Sequence, residues 1–353
     1  MKYKLSEIGD IVGGGTPSTK NESYYTLRGI SWITPKDLSG YKEMYISRGS
    51  RDISKEGLSR SSAKILPKGT VLVSSRAPIG YVAIAANDVS TNQGFKSIVP
   101  DRNIVIPEYL YYLMKVNVKK LESIASGSTF KEVSGKAMKE FEIDIPSISD
   151  QINILKKLLP IDKKIEVNNA INDNLALFSK LIWSKLKKEK EVKIKDICTI
   201  SSGKRPKSKH KKRSDLYKYP VIGANGCTGW TNEFLVYDKY ISTGRVGTLG
   251  TVKIQYNHTW PSDNTLIIKS QKLGIVEQIF KEIDYTSLNV GSTQPLIKQS
   301  DLLNKKIKIP ADFELNKYSE IFNIIIEQKL ANIRENIILN NIKKSLLKQI
   351  FNN

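Results

Sequence analysis

The sequence predicts a mixed α/β fold: two similar α/β domains separated by two long antiparallel coiled-coil helices, arranged as a pseudo-two-fold internal repeat. Three observations predict it. Residues 4–17, KLSEIGDIVGGGTP, align without a gap onto 193–206, KIKDICTISSGKRP, and residues 127–146 align onto 291–310, so both halves open and close on related segments. Short apolar or β-branched runs bounded by Gly, Pro or Asn recur within each half, which is strand patterning. After each half comes a long stretch with apolar residues at alternating steps of four and three, which is a helical seam.

The duplication sets the domain limits. Leu5, Ile8, Ile11, Gly14 and Pro17 each lie 189 residues before Ile194, Ile197, Ile200, Gly203 and Pro206, and Ile33 keeps that offset to Ile222. Further on, SSRAPIGYV at 74–82 faces TGRVGTLGTV at 243–252, with Arg76 lying 169 residues before Arg245, so the first half carries about 20 extra residues. Gly127, Val133, Met138, Ile145 and Pro146 meet Gly291, Ile297, Leu302, Ile309 and Pro310. Strands are expected at 70–74, 82–85 and 96–99, and short helices at 107–114 and 273–280. The expected division is a first domain at 1–146, a long helix at 147–190, a second domain at 191–310 and a second long helix at 311–353.

The first long helix opens on Ser147-Ile148-Ser149-Asp150, a capping pattern that satisfies free backbone amides, and the second on Asp312 and Glu314, acids suited to the positive end of a helix. The first seam is assigned to Ile154, Leu158, Ile161, Ile165, Asn168, Leu175 and Ile182, the second to Ile326, Leu330, Ile333, Ile337, Asn340 and Leu347. Pro160 falls inside the first seam and is expected to kink or break that helix. From Ser149 to Lys187 a helix spans roughly 60 Å. Such stripes exceed what a lone helix buries, so the two helices are expected to pair; packing of each on its own domain is the alternative.

Composition bounds the chemistry. The 56 Lys and Arg residues outnumber 35 Asp and Glu, a formal net charge of +21, which points to a polyanionic partner; a lysine-rich proteome is the plain alternative. The two cysteines, Cys198 and Cys227, have no paired spacing and no histidine cluster nearby, so neither a disulfide framework nor a zinc site is expected. Without an apolar run of spanning length, no membrane association is expected, and the cytoplasm is the expected location. Gly13-Gly14-Gly15-Thr16-Pro17-Ser18 lacks the Gly-Lys-Ser/Thr that completes a P-loop and reads as a turn. No amino-methyltransferase tetrapeptide and no S-adenosylmethionine glycine fingerprint is present. A loose nuclease site using Asp37 or Asp263 stays open, yet no catalytic or metal-binding residue is assigned.

Features suited to DNA are easier to find. Lys204, Arg205, Lys207, Lys209, Lys211, Lys212 and Arg213 form a basic loop able to meet several phosphates; a flexible solvated loop is the alternative. The extra segment of the first half brings Arg48, Arg51 and Arg60, and Lys36 precedes it. Arg76 and Arg245, taken as equivalent, read equally as phosphate contacts or as structural arginines. Gln93, Asn225 and Asn264 carry side chains able to pair with adenine edges, or serve turns. Ser128, Thr129 and Lys131, with Ser292, Thr293 and Gln294, complete the candidates on the closing segments. Residues common to both halves cannot make them read different bases, so base readers are expected where the halves diverge, near 19–64 and 207–235.

The order domain, long helix, domain, long helix resembles type I restriction-modification specificity subunits over essentially the whole chain. The motifs are Gly14-Gly15-Thr16-Pro17, Ile30-Ser31-Trp32-Ile33 with Asp37-Leu38, Thr91-Asn92-Gln93-Gly94, Gly127-Ser128-Thr129 and Ile143-Asp144-Ile145-Pro146. Gly203, Gly291-Ser292-Thr293 and Ile307-Lys308-Ile309-Pro310 correspond in the second half. The resemblance implies two target-recognition domains that read a bipartite site on double-stranded DNA. It also implies two methyltransferase subunits and restriction (motor-nuclease) subunits as partners. The chain itself then holds no cofactor; S-adenosylmethionine, ATP and magnesium belong to the partners. The helix-start pair usual in the family is Asp150-Gln151 in the first half and Glu314-Leu315 in the second, which puts an equal second partner contact in doubt. A self-contained endonuclease or methyltransferase, or a coiled-coil nucleic-acid scaffold, is the alternative function.

Overall fold

A computed structural model describes every residue except Ala77, 128–130, 352 and 353. The chain divides into two compact units, Met1–Glu166 with Ile337–Asn353, and Val167–Asn336. In the first, a five-stranded sheet runs in the order Gly9–Gly13, Lys96–Pro100, Val71–Val73, Val82–Ala85, Tyr45–Ile46. Val71–Val73 and Val82–Ala85 are buried at every position, so they read as unbroken apolar runs and not as alternations. The helix Pro107–Val116 buries its Tyr109 to Met114 side chains in the same core. A second sheet joins Tyr25–Thr26, Arg51–Ile53, Ile30–Ile33 and Ser90–Thr91.

The second unit carries a sheet of Thr199–Ser202, Thr265–Lys269, Tyr240–Gly244 and Lys253–Gln255, and another of Gly226–Thr231, Tyr219–Gly223 and Trp260–Pro261. The units repeat each other at the level of register. The pairs Ile98 with Val71 and Val71 with Ile84 recur as Ile268 with Ile241 and Ile241 with Ile254. Tyr3 opposite Ile143 recurs as Val192 opposite Ile307, and Trp32 beside Ser90 as Val221 beside Trp260.

This register corrects the sequence alignment by one residue. Ser75 N donates to Gly94 O at 2.7 Å as Arg245 N donates to Asn264 O at 2.9 Å, so Arg245 stands where Ser75 does, and Arg76 stands where Val246 does. A shift of one residue turns a side chain to the other face, so the two arginines are not equivalent. Arg76 pairs with Glu132 at 3.4 Å, which also takes Lys96 at 3.2 Å. The bridge between Arg76 and Glu132 recurs between Val246 and Leu296, where the ion pair has become an apolar contact position.

The first long helix spans Ile148–Lys185 and the second Asp312–Phe351. Ser147 caps the first, accepting from Asp150 N at 3.2 Å and donating to its carboxylate at 2.7 Å. Pro160 does not break this helix. Leu155 and Leu158 on the adjoining turn are buried, and Asp162 accepts from Lys343 Nζ at 2.5 Å and from the Tyr112 hydroxyl, so packing outweighs the local loss of about 3 kcal/mol.

Within each unit the two helices run antiparallel. In the first, Asp162 meets Lys343, and Leu346, Leu347 and Ile350 pack on the domain core. In the second, Asn168 Nδ2 donates to Glu335 and Asn336, Asn332 Nδ2 to Asn172 Oδ1, and Trp183 packs edge-on against Phe322 at 6.2 Å. Ile154, Leu158, Ile161, Ile165, Asn168, Leu175 and Ile182 are all partly or fully buried, as are Ile326, Leu330 and Leu347. Ile333, Ile337 and Asn340 instead lie exposed, and the less exposed face after Leu330 passes through Asn332, Asn336, Leu339, Lys343 and Leu346. A straight helix drifts by about 20° per heptad from a strict seven-residue repeat, and the asparagine hydrogen bonds let polar residues occupy the buried side.

Gln151 has a structural role at the start of the first long helix. It is fully buried; its Oε1 accepts from Ile106 N at 2.9 Å, and its Nε2 donates to Ile104 O at 2.9 Å and Pro146 O at 3.0 Å. It therefore fastens the helix start to its own domain. Leu315, at the matching place, packs in the second core. Replacing Gln151 with Ala leaves three backbone groups without partners, and should lower stability by about 2–3 kcal/mol in denaturant unfolding. An unchanged midpoint would remove Gln151 from this role.

Candidate nucleic-acid interface

A Cβ at Gly14 would lie 2.0 Å from Asn92 O, and one at Gly203 would lie 2.2 Å from Ser262 O. Glycine is thus required for close backbone approach, and the turns are clamps. In the first unit the Trp32 indole donates to Gly15 O at 3.0 Å; in the second the Trp260 indole donates to Lys204 O at 2.6 Å. Trp32 and Ser90 are paired strand neighbours, as are Val221 and Trp260, so the same bond is made by an indole from opposite members of the pair. Next to each clamp stands a polar pair: Thr16 donates to Gln93 Oε1, and Arg205 lies 3.7 Å from Asp263.

The basic stretch 204–213 is not a loose loop. His210 and Trp230 exchange two backbone hydrogen bonds of 2.8 Å, which adds the stretch as a bridge along the strand Gly226–Thr231. Ser208 Oγ donates to Asn232 at 2.9 Å, Arg213 lies over the Trp230 ring at 5.5 Å, and His210 stacks on Tyr217 with centroids 3.5 Å apart. Lys204, Arg205, Lys207, Lys209, Lys211, Lys212 and Arg213 are all exposed. A ridge ordered in advance loses less conformational entropy on binding than a mobile loop of equal charge.

In the first unit the cations are shared out differently. Arg51 lies 3.5 Å over the Tyr25 ring, and Tyr25 in turn meets Trp32 edge-on. Arg48 is bonded within its own unit, to the carboxylate of buried Asp52 and to the Leu27 carbonyl. Asp37 serves the loop: it accepts from Thr34 N, Thr34 Oγ1 and Ser50 N. Burial alone would raise its pKa, but these hydrogen bonds hold the carboxyl below its ordinary value. Asp263 and Asp37 thus both have structural partners.

The other candidates differ in their surroundings. Lys36, Arg60, Lys131, Asn264, Ser292, Thr293 and Gln294 are exposed. Asn225 is pinned, its amide donating to Thr248 Oγ1 at 3.0 Å and its backbone carbonyl accepting from Lys253. Arg76 is held by Glu132, and Arg245 is half-buried with an unpartnered Nε among the described residues. Ser128 and Thr129 lie outside the described residues. Sequence patterning missed Tyr25 and Trp230 as supports for Arg51 and Arg213, since ring and cation are adjacent only across strands or turns.

Cys198 is buried, which pushes its thiol up to about 12, and Cys227 is exposed. Among the described residues no cluster of three or more His, Cys, Asp or Glu is placed to hold a metal ion, and no helix is long and apolar enough to cross a membrane.

Comparison with known proteins now gives the family. Residues 1–177 and 187–345 match the type I restriction modification DNA specificity domain. The chain is 32% identical to the type I restriction enzyme MjaIX specificity subunit of Methanocaldococcus jannaschii, covering 98% of this chain and 91% of that protein. It is 27% identical to the EcoR124I/EcoR124II specificity subunit of Escherichia coli over 48% of this chain and 42% of that one. Its fold is similar to that of the crystal structure of a type I S subunit from M. genitalium, with a TM-score of 0.64 at 19% identity, covering 99% and 96% of the two chains. With both halves of the chain matched in order, the chain belongs to the type I restriction-modification DNA specificity family.

Proposed function

We propose that this specificity subunit reads a bipartite site on double-stranded DNA, one part with each unit, and carries no reaction itself. The observation that supports this best is the pairing of a duplicated scaffold with dissimilar surfaces. The glycine clamps and strand registers recur, whereas the cations above them form an ordered ridge at 204–213 in one unit and a ring-supported arginine, Arg51, in the other. Shared scaffold grips; divergent surface discriminates. Lys204, Lys207, Lys209, Lys211, Lys212 and Arg213 are assigned to phosphates, with Lys36, Arg51, Arg60 and Lys131 in the first unit.

Reaction chemistry is assigned to partners: two methyltransferase subunits using S-adenosylmethionine, and restriction subunits using ATP and magnesium, all in the cytoplasm. An apolar stripe on the first long helix supports such docking. Ile171, Phe178 and Leu181 are exposed at steps of seven and three, a second seam with no partner among the described residues.

Four experiments test this reading. Neutralising six or more phosphates should make duplex affinity fall by about three orders of magnitude between 50 and 200 mM salt. Replacing Lys209, Lys211, Lys212 and Arg213 with Ala should weaken binding to all sequences alike and flatten that slope; salt-independent affinity would defeat the assignment. Exchanging residues 207–235 for those of another specificity subunit should change one part of the methylated site and leave the other intact, as read by mapping methylated bases in cells. Changing Phe178 and Leu181 to Lys should abolish co-purification with the methyltransferase subunits while DNA binding by the chain persists. Undiminished co-purification would move the docking surface elsewhere.

A further inference from the structure

One residue pair is absorbed neither by the fold nor by phosphate binding. Leu27 is 94% exposed and Leu216 63% exposed, each on a loop among cations. Strand register relates their surroundings: Thr26 and Ser31 both pair with Asp52 as His210 and Pro220 both pair with Trp230, so the two leucines sit on the same connection of the repeat, which is longer in the second unit. Around them the halves share little: His210 stands where Thr26 does, and the longer second connection carries Ser214, Asp215 and Tyr217 beside Leu216.

Both tips are rigid. Below Leu27, buried Asp52 accepts from Gly29 N at 2.8 Å and from Arg48 Nε at 3.0 Å, while Arg48 also donates to the Leu27 carbonyl. At Gly29 a Cβ would lie 2.6 Å from Ile53 O, so the turn is pressed against the sheet. Beside Leu216, Ser214 and Tyr217 exchange hydrogen bonds of 3.2 and 3.1 Å, and the Tyr217 ring is fixed by its stack on His210. Arg28 and Arg51 are exposed near the first tip in sequence or sheet, and Lys211, Lys212, Arg213 and Lys218 flank the second.

We propose that Leu27 and Leu216 are apolar base contacts, one in each part of the DNA site, set against base pairs while the surrounding cations hold phosphate. An apolar side chain among cations has no use for phosphate. What DNA offers it is the thymine methyl group in the major groove, or the face of a base at an opened step. The inference rests on the DNA-reading function above.

The test uses the full chain with its methyltransferase subunits. Leu27→Ala and Leu216→Ala should each lose about tenfold discrimination at base pairs of one part of the site, a different part for each variant, in selection from random duplexes. Melting temperature and salt slope should not change, because neither side chain is packed. Deoxyuridine in place of thymidine separates the two modes: if it reproduces the loss, the methyl is the contact. A fluorescent purine beside the position that brightens with wild type and not with the variant marks an opened step. Unchanged discrimination in both variants, or equal weakening on every duplex, overturns the proposal. Failure of the wild-type complex to bind any duplex would instead sink the underlying reading.

Discussion

The antiparallel ladder between Lys190–Lys193 and Lys306–Ile309 is the constraint on which the helix arrangement of the second unit depends. The first long helix ends at Lys185, just before one strand of that ladder, and the second begins at Asp312, just after the other. Four residue pairs therefore tie the exit of one helix to the entry of the next, leaving them antiparallel and in one register. This explains why the seam tolerates Asn168, Asn172 and Asn332 on its inner side. Apolar matching is not needed to choose the register, so the buried positions need only be satisfied. Asparagines bonded across the helices do that at little net cost.

The same logic explains how much of the molecule was legible in the sequence. The duplication follows from matched segments, the strands at 82–85 and 96–99 from short apolar or β-branched runs, and the helices from spacings of three to four, patterns that burial imposes directly. The central register of the repeat was off by one residue, because Arg76 and Arg245 look alike as letters while backbone hydrogen bonds, invisible in sequence, set the equivalence. The inward face of the second helix was lost after Leu330 for a related reason: Asn332 and Asn336 look like solvent-facing residues until partners across the helix pair are known. Of the candidate site, charge and exposure at 204–213 were readable. The order in that stretch was not, since it arises from His210, Trp230 and Tyr217 meeting across a turn.

The tryptophan exchange shows how a repeat can diverge without losing its support. The carbonyls of Gly15 and Lys204 each need a donor beneath the clamp, and an indole on either of two paired strands reaches it. What recurs in the two units is the satisfied carbonyl, while the strand that supplies the donor differs. Sequence alignment scores Trp32 against Val221 as a mismatch, although the physical contact is conserved.

Acidic groups sharpen the picture of the reading surface. Asp37, Asp52 and Glu132 of the first unit are engaged by Thr34 and Ser50, by Gly29 and Arg48, and by Arg76 and Lys96. Each takes up donors that would otherwise be available to phosphate, and in return fixes a loop. The second unit differs at 207–213, where rings do the fixing and Asp263 reaches only Arg205 at the start of the basic stretch. A carboxylate anchors a cation by neutralising it; an aromatic face anchors a cation and leaves its charge outward. The two units have thus reached ordered loops by routes of different electrostatic consequence, and the second should draw more of its affinity from counterion release than the first.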